Sequence, residues 1–180
     1  AEAAISLSSE IKGKIQDISE IKIHTQEPGV RIISKKGPLI NYADRDHCIE
    51  YIVAWCLVNG NLNSNSYSDS SASDKNIDKL RVITNTVEDQ AYTEKYYDQD
   101  ERAIPNRVIV TMKTGEVFEK EVIYPLGHKN RRAESLPFLK EKFQNSIENL
   151  NIKADELMNF YDEKNLDSIN IYALLNCIYK

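Results

Sequence analysis

The stretch RVIVTMKTGEVFEKEVIY, residues 107–124, constrains the fold more than any other part of the chain. Two β-rich runs flank Lys113 to Glu116, and Gly115 supplies the turn, so the stretch reads as an antiparallel hairpin. A third strand is written earlier, in IQDISEIKIHTQ, residues 15–26. There apolar and polar residues alternate (Ile18, Ile21, Ile23), which marks a half-buried strand with Ile21 and Ile23 in one phase. His24 falls in the opposite phase and reads as a surface residue. EPG at 27–29 reads as a turn, and VRIIS, 30–34, as a short second strand.

Helices separate these strands. AEAAISLSSEI, at the start, reads as a helix end stopped near Gly13. The run CIEYIVAWCLV, 48–58, is apolar on most faces and reads as a central helix, with Gly60 as its C′ residue. KNIDKLRVI, 75–83, has amphipathic spacing. Residues 61–75 are rich in Ser and Asn and read as a linker, although Tyr67 leaves an ordered loop or short helical turn open. DQAYTEKYYDQDERAIPN, 89–106, reads as a tyrosine-rich, charged connection. The remainder is helical: LPFLKEKFQNSIENL, KADELMNFYDE and SINIYALLNCIY. Strands separated by helices, with one clear antiparallel hairpin, predict an α+β domain: a two-layer sandwich with a mainly antiparallel sheet. The last helices do not share that pattern and are expected to pack on a partner or on another domain.

Length and composition narrow the function. The 180 residues suit one domain with a core, or one domain plus an appendage. A net charge of −5 argues against general nucleic-acid binding, which needs clustered Lys and Arg. The one basic knot, HKNRR at 128–132, fits a local anion site better than a nucleic-acid patch. Three cysteines, Cys48, Cys56 and Cys177, form no C-x-x-C pair and fit a reducing compartment. No secretory leader is evident, and no apolar run reaches the roughly 20 residues of a membrane span. The chain begins without methionine and inside a helix, which leads us to expect a fragment or a processed product.

Candidate chemistry gathers at NYADRDHCIEY, 41–51, where Asp44, Arg45, Asp46 and His47 precede the central helix. Asp44 or Asp46 can cap that helix by accepting from its free N–H groups. On one continuous helix His47 and Tyr51, at i and i+4, share a face. The helix dipole lowers the imidazole pKa and the flanking acids raise it, which suits general acid–base work. The plainer reading is that Asp46 caps, Arg45 pairs with a neighbouring acid and His47 fills a polar notch. In PLGHKNRR, Gly127 permits an unusual backbone angle. His128, Lys129, Arg131 and Arg132 suit a small multi-carboxylate ligand, since arginine forks match carboxylates. A solvated basic loop is the alternative. Tyr67, Tyr92, Tyr96 and Tyr97 read as packing and surface residues. No P-loop, dinucleotide fingerprint, nucleophile elbow or H-E-x-x-H is present.

Taken together, GPLINYADRDHCIEYIVA, YSDSSASDKNIDKLR, VEDQAYTEKYYDQDERAIPN and YPLGHKNRR…LPFLKEKF resemble the MmgE/PrpD family, in particular its 2-methylcitrate dehydratase branch. The resemblance covers roughly residues 1 to 150, and the last thirty match only as a helical tail. It implies a large all-helical domain, a smaller α+β domain and an active site between them. On that basis residues 1–13 are the end of a helix from the helical domain, 14–135 the α+β domain, and 136–180 helices that return to the helical domain. It implies a hydro-lyase that removes water from 2-methylcitrate to give 2-methylaconitate in propionate degradation, without an iron–sulfur cluster or other cofactor. His47 and Tyr51 are then candidates for catalysis, and Arg45, His128, Arg131 and Arg132 for binding substrate carboxylates, with no metal ligand. Implied partners are a tricarboxylate substrate, an N-terminal helical domain and a second copy in a homodimer, with neither nucleic acid nor membrane. The implied location is the cytoplasm, or the mitochondrial matrix in a fungal source. The alternatives are decarboxylation of cis-aconitate, epimerisation of a dicarboxylate, or a non-catalytic binding or dimerisation domain. ADRDHC favours the dehydratase over the decarboxylase.

Overall fold

Alternation in the β-rich runs becomes a four-stranded mixed sheet in a computed structural model that describes residues 1–147, 157 and 170–178. Its strands are β1 (Ile18–Thr25), β2 (Thr84–Glu88), β3 (Asn106–Met112) and β4 (Val117–Val122), in the order β2-β1-β3-β4. The β1–β3 and β3–β4 ladders are antiparallel and β1–β2 is parallel, so the expected α+β class and mainly antiparallel sheet hold. In the central ladder Ile21 faces Val110 and Ile23 faces Val108. All four are essentially fully buried.

Helices cover the face that these residues present. They are α1 (Glu2–Ser8), α2 (Glu27–Ile33), α3 (Tyr42–Asp46), α4 (Ile49–Asn59), α5 (Asp69–Ala72) and α6 (Lys75–Val82), while α7 (Gln90–Tyr97) lies outside the core, its Tyr92 hydroxyl donating to the Glu121 carboxylate. Ala3, Ala4 and Leu7 of α1, Val53, Ala54 and Leu57 of α4, and Ile77 and Leu80 of α6 join the sheet residues in one core cluster. Burying each large aliphatic side chain contributes about 1.5–3 kcal/mol. The chain divides into two compact units, Ala1–Asn130 and Arg131–Lys180, and α1 belongs to the first. The described part of the second unit holds α8 (Arg132–Ile147), with Pro137 inside it, and a helix over Ile171–Ile178. The helix expected over KADELMNFYDE lies, but for Leu157, outside the described residues.

Several expectations give way. EPGVRII is a helix, α2, rather than a turn and a strand. Proline lacks the N–H that a first helical turn leaves unpaired, so Pro28 suits that position. Gly29 is there because α2 crosses close to Thr25: a Cβ on it would lie 2.7 Å from the Thr25 hydroxyl oxygen. TNTVE, passed over in the sequence, is the edge strand β2. The tyrosine-rich connection contains α7, whose N-cap is Asp89, accepting from Ala91 N–H. The polar stretch after α4 is ordered: Asn63 and Ser66 form a capping box on a short 3-10 helix, Ser64–Tyr67. His24 is half-buried rather than on the surface, with Nδ1 3.8 Å from Asp89 Oδ2.

Candidate functional site: the polar corner and the basic loop

The corner at Asp44–Glu50 is built as two helices, not one. Asn41, rather than Asp44 or Asp46, caps α3 by accepting from Asp44 N–H at 2.9 Å. The Asp44 carboxylate reaches back to Ile40 N–H at 3.0 Å. After Asp46 the chain breaks, and α4 restarts with Cys48 as an N-cap that makes no side-chain cap bond. This break separates the two candidate catalysts. His47 sits at the junction, exposed, with Nδ1 against the Asp46 carboxylate. Tyr51 is buried in α4, 2% exposed, and its hydroxyl donates to Ser66 O at 2.7 Å. Burial pushes the Tyr51 phenol above its ordinary pKa, against the pull of Arg45. The shared face expected for His47 and Tyr51 does not form.

Arg45, expected at a substrate carboxylate, turns its guanidinium inward. One terminal nitrogen donates to Tyr67 O at 2.8 Å. The other lies 2.8 Å from Asp69 Oδ1, while Nε is buried without a partner. The side chain is 6% exposed and ties α3 to the segment at 63–72. Tyr42, Tyr67 and Tyr51 follow one another at ring separations of 5.2 and 6.3 Å, from the surface into the core.

The residue that sequence reasoning missed is Glu50, 1% exposed. Its carboxylate accepts from Ser34 Oγ at 2.6 Å, Thr86 Oγ1 at 2.8 Å and Lys35 N–H at 3.1 Å. Lys36 Nζ lies 3.5 Å away and also donates to Thr84 O at 2.6 Å. Burial alone would raise the Glu50 pKa, but the hydroxyl and N–H donors outweigh it and hold it below the ordinary value. One carboxylate thus fastens α4 to the 34–36 loop and to β2. A lone acid inside an apolar run, as in CIEYIVAW, was the available signal: nothing keeps it there unless donors meet it.

The loop at His128 is organised differently. Gly127, at φ 96, turns the chain after Pro125. His128 Nδ1 accepts from Asn130 N–H at 3.1 Å, which places the proton on Nε2, where it donates to Arg102 O at 3.0 Å. The ring packs on Tyr124 at 4.8 Å. Lys129 Nζ donates to Asp100 O at 2.6 Å. These bonds fasten the 98–102 loop to the segment after the hairpin. Arg131 and Arg132 fall in the second unit. Arg131 meets Glu134 Oε2 through Nε at 3.0 Å and a terminal nitrogen at 2.9 Å, and Arg132, which opens α8, is exposed. Among the described residues no group of His, Cys, Asp or Glu converges as a metal site, and no helix is long and apolar enough to cross a membrane.

Comparison with known proteins agrees with this architecture. The MmgE/PrpD C-terminal domain matches residues 1–163. The chain is 51% identical over 146 residues to a mitochondrial 2-methylcitrate dehydratase of Yarrowia lipolytica, covering 79% of this chain and 28% of that protein. It is 46% identical over 147 residues to the 2-methylcitrate dehydratase of Escherichia coli, covering 79% and 30%. Against that of Cupriavidus necator it is 43% identical over 155 residues, covering 82% and 32%. The chain therefore spans less than a third of the length of these relatives.

Proposed function

Because the chain belongs to the MmgE/PrpD family and carries its C-terminal domain, we propose that the protein acts as a 2-methylcitrate dehydratase, removing water from 2-methylcitrate to give 2-methylaconitate. The observation that carries this reading is the 43–51% identity to enzymes of that name over about four-fifths of the chain. Those enzymes are more than three times as long as the matched part, so the activity is proposed for the whole protein and not for these residues alone.

Elimination of water needs a base for the C–H, an acid for the departing hydroxyl and cations for the carboxylates. Of the residues here, His47 has the geometry of a proton carrier. Its Nδ1 faces the Asp46 carboxylate, which fixes the tautomer and leaves Nε2 outward for the substrate. Tyr51 is buried in α4 with its one hydroxyl proton on Ser66 O, so it supports the corner rather than meeting substrate. The exposed Arg132 is assigned to a substrate carboxylate, whereas Arg131, paired with Glu134, and His128, with both ring nitrogens engaged, each hold local structure. Arg45 holds the corner in shape. The proposed reaction uses neither an iron–sulfur cluster nor another cofactor. Its partners are the tricarboxylate substrate, an N-terminal helical domain and a second copy in a homodimer. It runs in the cytoplasm of a bacterial source or the mitochondrial matrix of a fungal one.

The test is a dehydration assay on the full-length enzyme, following the ultraviolet absorbance of the conjugated product. His47→Ala is expected to lower kcat by roughly 100-fold with the thermal midpoint unchanged. Wild-type turnover in that variant would remove His47 from the chemistry, and no turnover of 2-methylcitrate by the wild type would overturn the assignment. A second reading, a docking domain without chemistry, is favoured by Leu136, Phe138 and Leu139 on α8, which are 40%, 56% and 42% exposed.

A further inference from the structure

Arg102 is the one described residue other than glycine with a positive φ, at 44°. A side chain in that left-handed region costs on the order of 1 kcal/mol, and glycine would avoid the cost. Surrounding bonds hold the strained residue in place. Its N–H donates to Asp98 O at 2.9 Å, and its carbonyl accepts from His128 Nε2 at 3.0 Å. Its Nε donates to Gln99 O at 3.2 Å. Among the described residues its two terminal nitrogens make no hydrogen bond. The guanidinium fork is therefore aimed by the backbone and left unused.

A cleft opens at this point, lined by Tyr96, Tyr97, Gln99, Arg102 and Ile104. The two tyrosine rings meet edge to face at 5.3 Å, and Tyr97 and Ile104 are 59% and 41% exposed. Three neighbouring acids, Asp98, Glu101 and Glu27, are engaged elsewhere. Asp98 accepts from the N–H groups of Asp100 and Glu101, Glu101 meets Lys95 Nζ at 3.1 Å, and Glu27 pairs with Arg31 and Tyr97. The cleft thus offers an aromatic and aliphatic wall, with one unpaired two-pronged cation at its rim.

We propose that Arg102, Tyr96, Tyr97 and Ile104 form a binding site for a small monocarboxylate with an apolar body. The guanidinium takes the carboxylate through two parallel hydrogen bonds, and the carbon skeleton lies against the tyrosines and Ile104. The strained backbone at Arg102 keeps the fork pointed at the cleft, so little side-chain freedom is lost on binding. This site is independent of the tricarboxylate chemistry proposed above.

The test uses the whole chain with ¹³C-labelled tyrosine, titrated with benzoate, with benzamide (the same body without charge) and with inorganic phosphate (charge without the body). Benzoate is expected to shift the Tyr96 and Tyr97 resonances saturably. Benzamide and phosphate should bind at least tenfold more weakly. Arg102→Gly should abolish the benzoate response without lowering the thermal midpoint, because glycine tolerates the left-handed backbone. The site is overturned if benzoate gives no saturable shift, if benzamide or phosphate matches it, or if Arg102→Gly binds benzoate as the wild type does. The benzamide arm needs no variant and stands even if Arg102→Gly misfolds.

Discussion

The corner at Asp44–Glu50 and the loops joined by Arg102 and His128 both concentrate polar groups, yet they hold them in opposite ways. At the corner, Glu50 and Arg45 point into the protein and meet hydroxyls, N–H groups, carbonyls and a counter-charge. At the loops, backbone carbonyls receive the side chains of His128, Lys129 and Arg102, whose bodies remain near solvent. The first arrangement makes charge a fastening between elements. The second uses hydrogen bonds to aim charge outward. Charge at the corner should therefore govern folding, and charge at the loops should govern recognition.

The largest effect that would break this contrast is at Glu50. Glu50→Ala leaves the Ser34 and Thr86 hydroxyls and the Lys35 N–H facing an empty, buried space, while the exposed Lys36 can hydrate. A loss of about 3–5 kcal/mol in urea unfolding is expected. A loss under about 1 kcal/mol would mean that the carboxylate fastens nothing. The same group sets a pH dependence. Its folded pKa lies below the ordinary value, so its contribution is present above the unfolded pKa and disappears as pH falls through the folded one. Glu50→Gln should lose less stability between neutral and acid pH than the wild type, as read from urea midpoints across that range.

Arg45→Met comes next, at about 2 kcal/mol, because Tyr67 O and Ile40 O lose their donor while Asp69 remains free to hydrate. Amide exchange at 63–72 should rise with it; unchanged protection there would show that the arginine does not hold that segment. Tyr51→Phe is smaller, about 1 kcal/mol for the bond to Ser66 O. If the full-length variant also loses activity far beyond that stability change, Tyr51 belongs to the chemistry as well as to the core. The mildest expectations sharpen the other side: His47→Ala and Arg102→Gly should leave the thermal midpoint near the wild-type value while removing turnover and carboxylate binding respectively.

The parts legible in the sequence were those with a strong period. Strand β1 and helix α6 announced themselves through one apolar face, helix α4 through a nearly unbroken apolar run, and the hairpin β3–β4 through β-rich runs on either side of Gly115. Helix α2 was hidden because Pro28 and Gly29 look like a turn, and only the close approach to Thr25 explains the glycine. Strand β2 was hidden because five residues with Thr and Asn at three positions give almost no period; it exists because β1 offers it a ladder. The family was legible in ADRDHC and PLGH, but the geometry of the corner was not. Side-chain direction there depends on a helix break at His47 and Cys48 that no cap residue signals, so Arg45 turns inward and His47 parts from Tyr51. Glu50 stood out only as a lone acid in an apolar run, and Arg102 not at all, since their meaning comes from partners 36 and 26 residues away in the chain.

The central ladder joins residues 18–25 to residues 106–112. In between lie six of the helices and the strand β2. A ribosome therefore releases β1 long before its antiparallel partner exists, and the apolar side of that strand must wait. Closing so long a loop is slow, and slow closure leaves strand edges open to other chains. The short helices α3 to α6, which need only near neighbours in sequence, can form first and shield Ile21 and Ile23 in the interval. The same topology that puts β1 inside the finished sheet makes it the strand that waits longest for its neighbours, and the segment where crowding or early release would first lead to aggregation.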